Sequence, residues 1–219
     1  ALVGSAVAHG GWSVVQFKGV RAILEAMIFS PLFGFMMGLL IMVAVSWSFF
    51  KVQRGVAQKV FSRLQLLSAS FMAFSHGSND AQKAMGIITL ALVASGQVTS
   101  SEVPTWVVVS CALAMGAGTM AGGRRIMRTL GMRIVKLDPV HGFAAETGAA
   151  SVLLFTAHFG LPVSTTHTIT SSILGVGATK RLSAVRWGVT TKILSAWVFT
   201  MPGAGMLGAL VYLVLSSLV

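Results

Sequence analysis

The residues best equipped for chemistry lie where an apolar chain should carry none. Residues 66–96 (LLSASFMAFSHGSNDAQKAMGIITLALVASG) are long enough to enter a membrane, yet Ser75-His76-Gly77-Ser78-Asn79-Asp80 fall at their middle. A carboxylate at the bilayer centre costs about 2.5–3.5 kcal/mol on insertion scales unless a cavity or a bound ion receives it. The pattern predicts a half-helix on each side of a break: Gly77 lets the backbone unwind, Asn79 or Asp80 can cap the second half, and residues 81–94 supply its apolar turns. The free N–H groups and partial positive charge at the start of that second half would attract a small anion, while Asp80 and loosened carbonyls would hold a cation. Secondary transporters build binding sites from broken helices of this kind. The plain alternative is a Ser/Gly hinge between two ordinary elements, although a hinge rarely carries a carboxylate at this depth.

The rest of the chain must hold these groups in a bilayer. It is 55% hydrophobic and 10% charged, with a mean hydropathy of +0.83, which excludes a soluble domain. The 24 glycines and 12 methionines suit closely packed helices. A net charge of +11 resembles a nucleic-acid binder's, but the basic residues cluster in short segments between apolar runs, where they set topology instead. The single cysteine, Cys111, cannot form an intrachain disulfide. The expectation is an all-α polytopic membrane protein.

Residues 1–11 look like the end of a helix. A first full span runs from about Ala22 to Phe50, with Pro31 inside it and Gly34 and Gly38 at small-xxx-small spacing. Lys51, Arg54, Lys59 and Arg63 then alternate with apolar residues in a basic amphipathic stretch suited to a membrane surface. A span from about Val103 to Gly122 follows the broken segment, and Arg124, Arg125, Arg128, Arg133 and Lys136 make the next basic cluster. After Asp138-Pro139 a span from about Val140 to Phe159 carries Glu146. It ends at a second break, Gly160-Leu161-Pro162-Val163-Ser164-Thr165-Thr166-His167, where three hydroxyl side chains can cap a half-helix or face an ion. The last span reaches about Leu215 and holds Pro202.

The two ends of the chain match at an offset of 171: Gly4 with Gly175, Arg21 with Lys192, Pro31 with Pro202, Gly34 with Gly205. Four matches in one register, each at a residue with backbone or topological meaning, point to an internal repeat. Basic residues place 51–63 and 124–136 in the cytoplasm, and Lys180, Arg181 and Arg186 mark a third cytoplasmic loop. The last span then runs outward and its counterpart 22–50 inward, which is an inverted-topology repeat with broken, re-entrant helices. The expected organisation is 1–50 as the end of a first repeat, 51–65 as a cytoplasmic linker and 66–219 as the second repeat.

SHGSNDAQKAMG at 75–86, GFAAETGAAS at 142–151 and GLPVSTTHTITSSILGVG at 160–177 together resemble the inorganic phosphate transporter (Pit) family, in its bacterial form. The resemblance covers essentially the whole chain. Asn79-Asp80 matches the family's signature dipeptide, Glu146 its acidic helix, and Ser164-Thr165-Thr166-His167 its hydroxyl break. It implies a two-repeat secondary transporter in a cell membrane, the bacterial inner membrane for this branch, that moves phosphate with sodium or protons, or as a metal–phosphate complex. It further implies that phosphate meets Ser75, Ser78, Asn79, Ser164, Thr165 and Thr166. The coupling cation would meet Asn79, Asp80, Glu146 and Thr166, with His76, Lys83 and His167 available for proton or charge coupling. Lys83 stands where other members can carry a neutral residue. Only the second repeat's motifs are present, so the chain reads as a C-terminal portion that needs an upstream repeat, or a second copy of itself, to complete a site.

Each of these residues also has a bland reading. Glu146 can pair with a buried base, the hydroxyls can merely cap a helix, and a histidine in a helix break can satisfy backbone groups. The competing class is an intramembrane enzyme, with His76, Asp80 and Ser164 as a hydrolytic set or His76, Glu146 and His167 as zinc ligands. It lacks any HExxH or GxSxG motif. Sulfate is a further candidate substrate, a channel a further candidate mechanism. No cofactor beyond the coupling ion, no resident metal and no nucleic-acid partner is expected.

Overall fold

A computed structural model describes residues 1–99, 102–129, 137–179 and 187–218. The described residues are helical: α1 (Leu2–Gly10), a 3-10 turn (Trp12–Val14), α2 (Phe17–Ser48), α3 (Arg54–Ala94), α4 (Thr105–Thr129), α5 (Pro139–His158), α6 (Thr165–Ala178) and α7 (Trp187–Ser216). Stretches of α2, α4 and α7 (Phe17–Ser48, Thr105–Gly123 and Thr190–Ser216) are long and apolar enough to cross a membrane. Two compact units result, one of residues 1–24 and 186–219, the other of residues 25–185.

In the larger unit α5 is the central element, and small residues put it there. Ala144, Ala145, Ala149 and Ala150 are at most 1% exposed, so the backbones of α3 and α6 approach closely. Between apolar helices in lipid, such contact gives the van der Waals packing that hydrophobicity cannot supply. Ser172 Oγ donates to the Ala145 carbonyl at 2.8 Å, tying α6 to α5. Residues 25–48 of α2 join through glycine: a Cβ on Gly34 would stand 2.6 Å from the Thr168 carbonyl oxygen, and one on Gly148 would stand 2.9 Å from the Gly38 nitrogen. Ala81, Val107 and Cys111 form the α3–α4 seam. Near the start of α3, Phe61 lies edge-on to both Phe49 and Phe143. It is 1% exposed, so Phe61→Ala is expected to cost about 3–5 kcal/mol, read as a lowered unfolding midpoint in detergent; an unchanged midpoint would mean the ring holds nothing together.

The smaller unit packs α1 on α7 through Gly4 against Gly205 and Ala1 against Gly208. In the larger unit α6 meets α2 through Gly175 against Phe35 and Ser172 against Gly38. The glycines that match at the offset of 171 are therefore contact residues in both units, and each unit pairs a short helix with a long one that contains a proline, Pro31 or Pro202.

Two sequence expectations are corrected. There is no break at residues 75–80, because α3 runs unbroken for 41 residues. The expected linker 51–65 is not separate either, since from Arg54 onward it is the first turns of that helix. One glycine costs a helix only about 1 kcal/mol against alanine, and the Ser75 hydroxyl is satisfied within the helix, donating to the Phe71 carbonyl at 2.8 Å. The second break is present. Gly160, at φ 65°, closes α5 with its own N–H on the Ala157 carbonyl and the Leu161 N–H on the Thr156 carbonyl, a pairing that needs a left-handed residue. Ser164 then caps α6. Lys180, Arg181, Arg186, Arg133 and Lys136 lie outside the described residues.

Candidate functional site

Because α3 is continuous, its polar residues are sorted by helical face rather than gathered in a loop. His76, Asp80 and Lys83 follow one another at i, i+4 and i+7 on one face; Ser75 and Asn79 share another. The first face meets the α5–α6 break. There Asp80, Lys83, Pro162, Val163, Ser164, Thr165, Thr166 and Met27 of α2 line a cleft of about 360 Å3.

Both carboxylate oxygens of Asp80 are engaged. Lys83 Nζ donates to Oδ1 at 2.9 Å, and Thr165 Oγ1, on a residue 3% exposed, donates to Oδ2 at 3.1 Å. His76 Nε2 lies 3.5 Å from Oδ2. Lys83 also donates to the Val163 carbonyl at 2.6 Å, an oxygen that belongs to no helix. At the other wall Ser164 Oγ accepts the His167 N–H at 3.4 Å, while Ser164's carbonyl accepts the Thr168 N–H. The N–H groups of Thr165 and Thr166 precede the first intrahelical acceptor and carry the helix's partial positive charge. The exposed Thr166 side chain lines the cleft beside them. A carboxylate, an ammonium, a hydroxyl and free backbone donors thus face one volume that suits a small oxyanion with a cation.

The remaining expected site residues stand elsewhere. Ser75 is buried and bonded within its helix. Asn79 is 4% exposed and its Oδ1 has no hydrogen-bond partner among the described residues. Ser78 is half-buried and His167 half-buried, and neither lines the cleft. Glu146 is not brought to Asp80. Its Oε2 accepts from Ser68 Oγ at 2.6 Å, with the Gln65 side chain as a second partner. Ser68 precedes Asp80 by 12 residues of α3, about 18 Å along the axis. A single cation shell holding both Asp80 and Glu146 is therefore corrected to two separate carboxylates.

Sequence reasoning missed Met27 of the cleft wall; three residues on, Ser30 is 1% exposed and its Oγ has no hydrogen-bond partner among the described residues. The signal was Pro31: with no N–H to give, it leaves the carbonyl four residues back without its helical donor, and that residue is Met27 of the cleft wall.

A model of the phosphate transporter family matches residues 1–208. A probable low-affinity inorganic phosphate transporter of Rhizobium meliloti (strain 1021) is 46% identical over 96% of the chain, and one of Bacillus subtilis (strain 168) is 42% identical over all of it. The chain spans 64% and 66% of those two relatives. Among solved structures, the sodium-dependent phosphate transporter superposes with a TM-score of 0.88 over 99% of the chain and 71% of that protein, at 22% identity, a likeness of fold. The hydroxyl break, the Asn79-Asp80 pair and the match across nearly the whole sequence lead to one conclusion: the chain belongs to the phosphate transporter family.

Proposed function

We propose that the protein moves inorganic phosphate across the membrane by secondary active transport, coupled to a cation, sodium or a proton. The observation that carries this reading is the cleft in which Asp80 and Lys83 of α3 face the start of α6. A phosphate there would take the N–H groups of Thr165 and Thr166, the Thr166 hydroxyl and the Lys83 ammonium in exchange for its hydration. Asp80, and separately Glu146 with Ser68 and Gln65, would carry the charge coupling. Support comes from the relatives, named as phosphate transporters, and from the solved neighbour, which is sodium-dependent by name. The enzyme alternative has little left to stand on: the family is one of transporters, and Ser164 Oγ is an acceptor in a helix cap rather than a hydroxyl poised by His76. A second copy or a second repeat would supply the opposing half of the site.

Equilibrium binding of labelled phosphate to the purified protein tests the anion half. Thr166→Val keeps the backbone N–H and the side-chain size but removes a hydrogen bond to a charged ligand, which is worth about 1.5–3 kcal/mol. Phosphate affinity is expected to fall by about tenfold or more. Unchanged affinity would leave the hydroxyl with no part in binding. Sulfate as competitor separates the two oxyanions.

A further inference from the structure

We infer that the Lys83 ammonium is the resident cation of the Asp80 seat: it occupies the position a coupling sodium would take and closes that seat to sodium. The inference rests on the transport reading of the cleft and goes beyond it by assigning the coupling-ion specificity to one side chain. A sodium seat in a transporter is built from a carboxylate or hydroxyl oxygen and carbonyls released where a helix is interrupted. Asp80 Oδ1 and the Val163 carbonyl are such a pair, and Lys83 Nζ sits on both, at 2.9 Å and 2.6 Å. The other carboxylate oxygen is taken by Thr165 Oγ1 at 3.1 Å, with His76 Nε2 3.5 Å away. A free sodium ion would have to displace a like charge tethered one turn away on the same helix.

Neither partner is sealed off. The Asp80 side chain keeps 28% and the Lys83 side chain 37% of its surface accessible, so the seat can be entered if the ammonium is removed. Lys83 can also swing toward an anion in the cleft it lines without leaving its helix. Phosphate binding then needs no sodium at this seat, and neutralising Lys83 should create the need.

The test is binding of radioactive sodium alone to the purified protein, followed by labelled phosphate binding in sodium against choline chloride. The parent protein is expected to bind no sodium that depends on Asp80, and to bind phosphate equally in both salts. Lys83→Gln and the longer Lys83→Met should gain sodium binding, with phosphate affinity about tenfold or more higher in sodium than in choline. Adding Asp80→Asn to Lys83→Gln should abolish the gained sodium site, and Lys83→Arg should stay indifferent to sodium. Sodium binding by the parent that Asp80→Asn removes would overturn the inference. So would monodisperse Lys83→Gln and Lys83→Met proteins that gain none. Because sodium is measured without phosphate, failure of the parent to bind phosphate would sink the transport reading while the sodium result still decides the seat.

Discussion

Replacing Asp80 by asparagine is expected to reduce gradient-driven phosphate uptake to background while leaving the protein folded and inserted. The two consequences differ because the carboxylate contributes differently to each. Asp80 and Lys83 are partly exposed, and such pairs add no more than about 1 kcal/mol to stability. The site depends on the carboxylate throughout: it holds Lys83 over the cleft and orients the Thr165 hydroxyl at the start of α6. Asparagine keeps the size and loses the charge, so the ammonium is released and the pairing of anion with cation fails. Uptake of labelled phosphate into liposomes, beside a melting curve of the same preparation, separates the effects. Normal uptake would remove Asp80 from the mechanism.

A second large effect, on folding, is expected at Gly175. A Cβ there would meet the Phe35 carbonyl oxygen, with the Phe35 carbonyl carbon at 2.9 Å and the Leu39 nitrogen at 3.1 Å. All are backbone atoms of α2, so no side chain can move aside and the helices would have to separate. Overpacking in a close-packed core costs about 1–3 kcal/mol, and here the clash arises from the first added carbon. Gly175→Ala should therefore already lower the unfolding midpoint, and Gly175→Val should prevent recovery of monodisperse protein. A Cβ on Gly4, the partner of Gly175 in the repeat, would stand 2.6 and 2.9 Å from Gly205 backbone atoms, and its substitution should loosen α1 from α7 in the same manner. A stable Gly175→Val protein would show that α2 and α6 do not meet as described.

What the sequence revealed depended on whether a residue's signal was local. The second break was legible because each part acts on its own neighbours: Gly160 supplies the left-handed residue, Pro162 stops a helix, and Ser164 caps the next. The repeat was legible because glycine and proline matches recorded backbone approach, and the same glycines now make those contacts. The break expected at 75–80 failed because Ser, Gly, Asn and Asp only weaken a helix, and packing along α5 outweighs that weakness. Those residue types mark helical faces instead, with Asp80 and Lys83 in the wall of the cleft and His76 one turn before Asp80 on the same face. That Glu146 stands apart from Asp80 was beyond composition, since it depends on which turn of α3 meets α5. Met27 enters the cleft wall only through tertiary packing, which its place in an apolar span does not announce.

The central claim is that one cleft, at the meeting of α3 with the start of α6, binds phosphate for transport. Its most direct test is accumulation of labelled phosphate by liposomes carrying the purified protein, with and without an imposed cation gradient. Accumulation above the external concentration is expected only with the gradient, and it should be lost in Asp80→Asn and blunted in Thr166→Val. Equilibration without a gradient requirement, or accumulation that neither substitution alters, would contradict it.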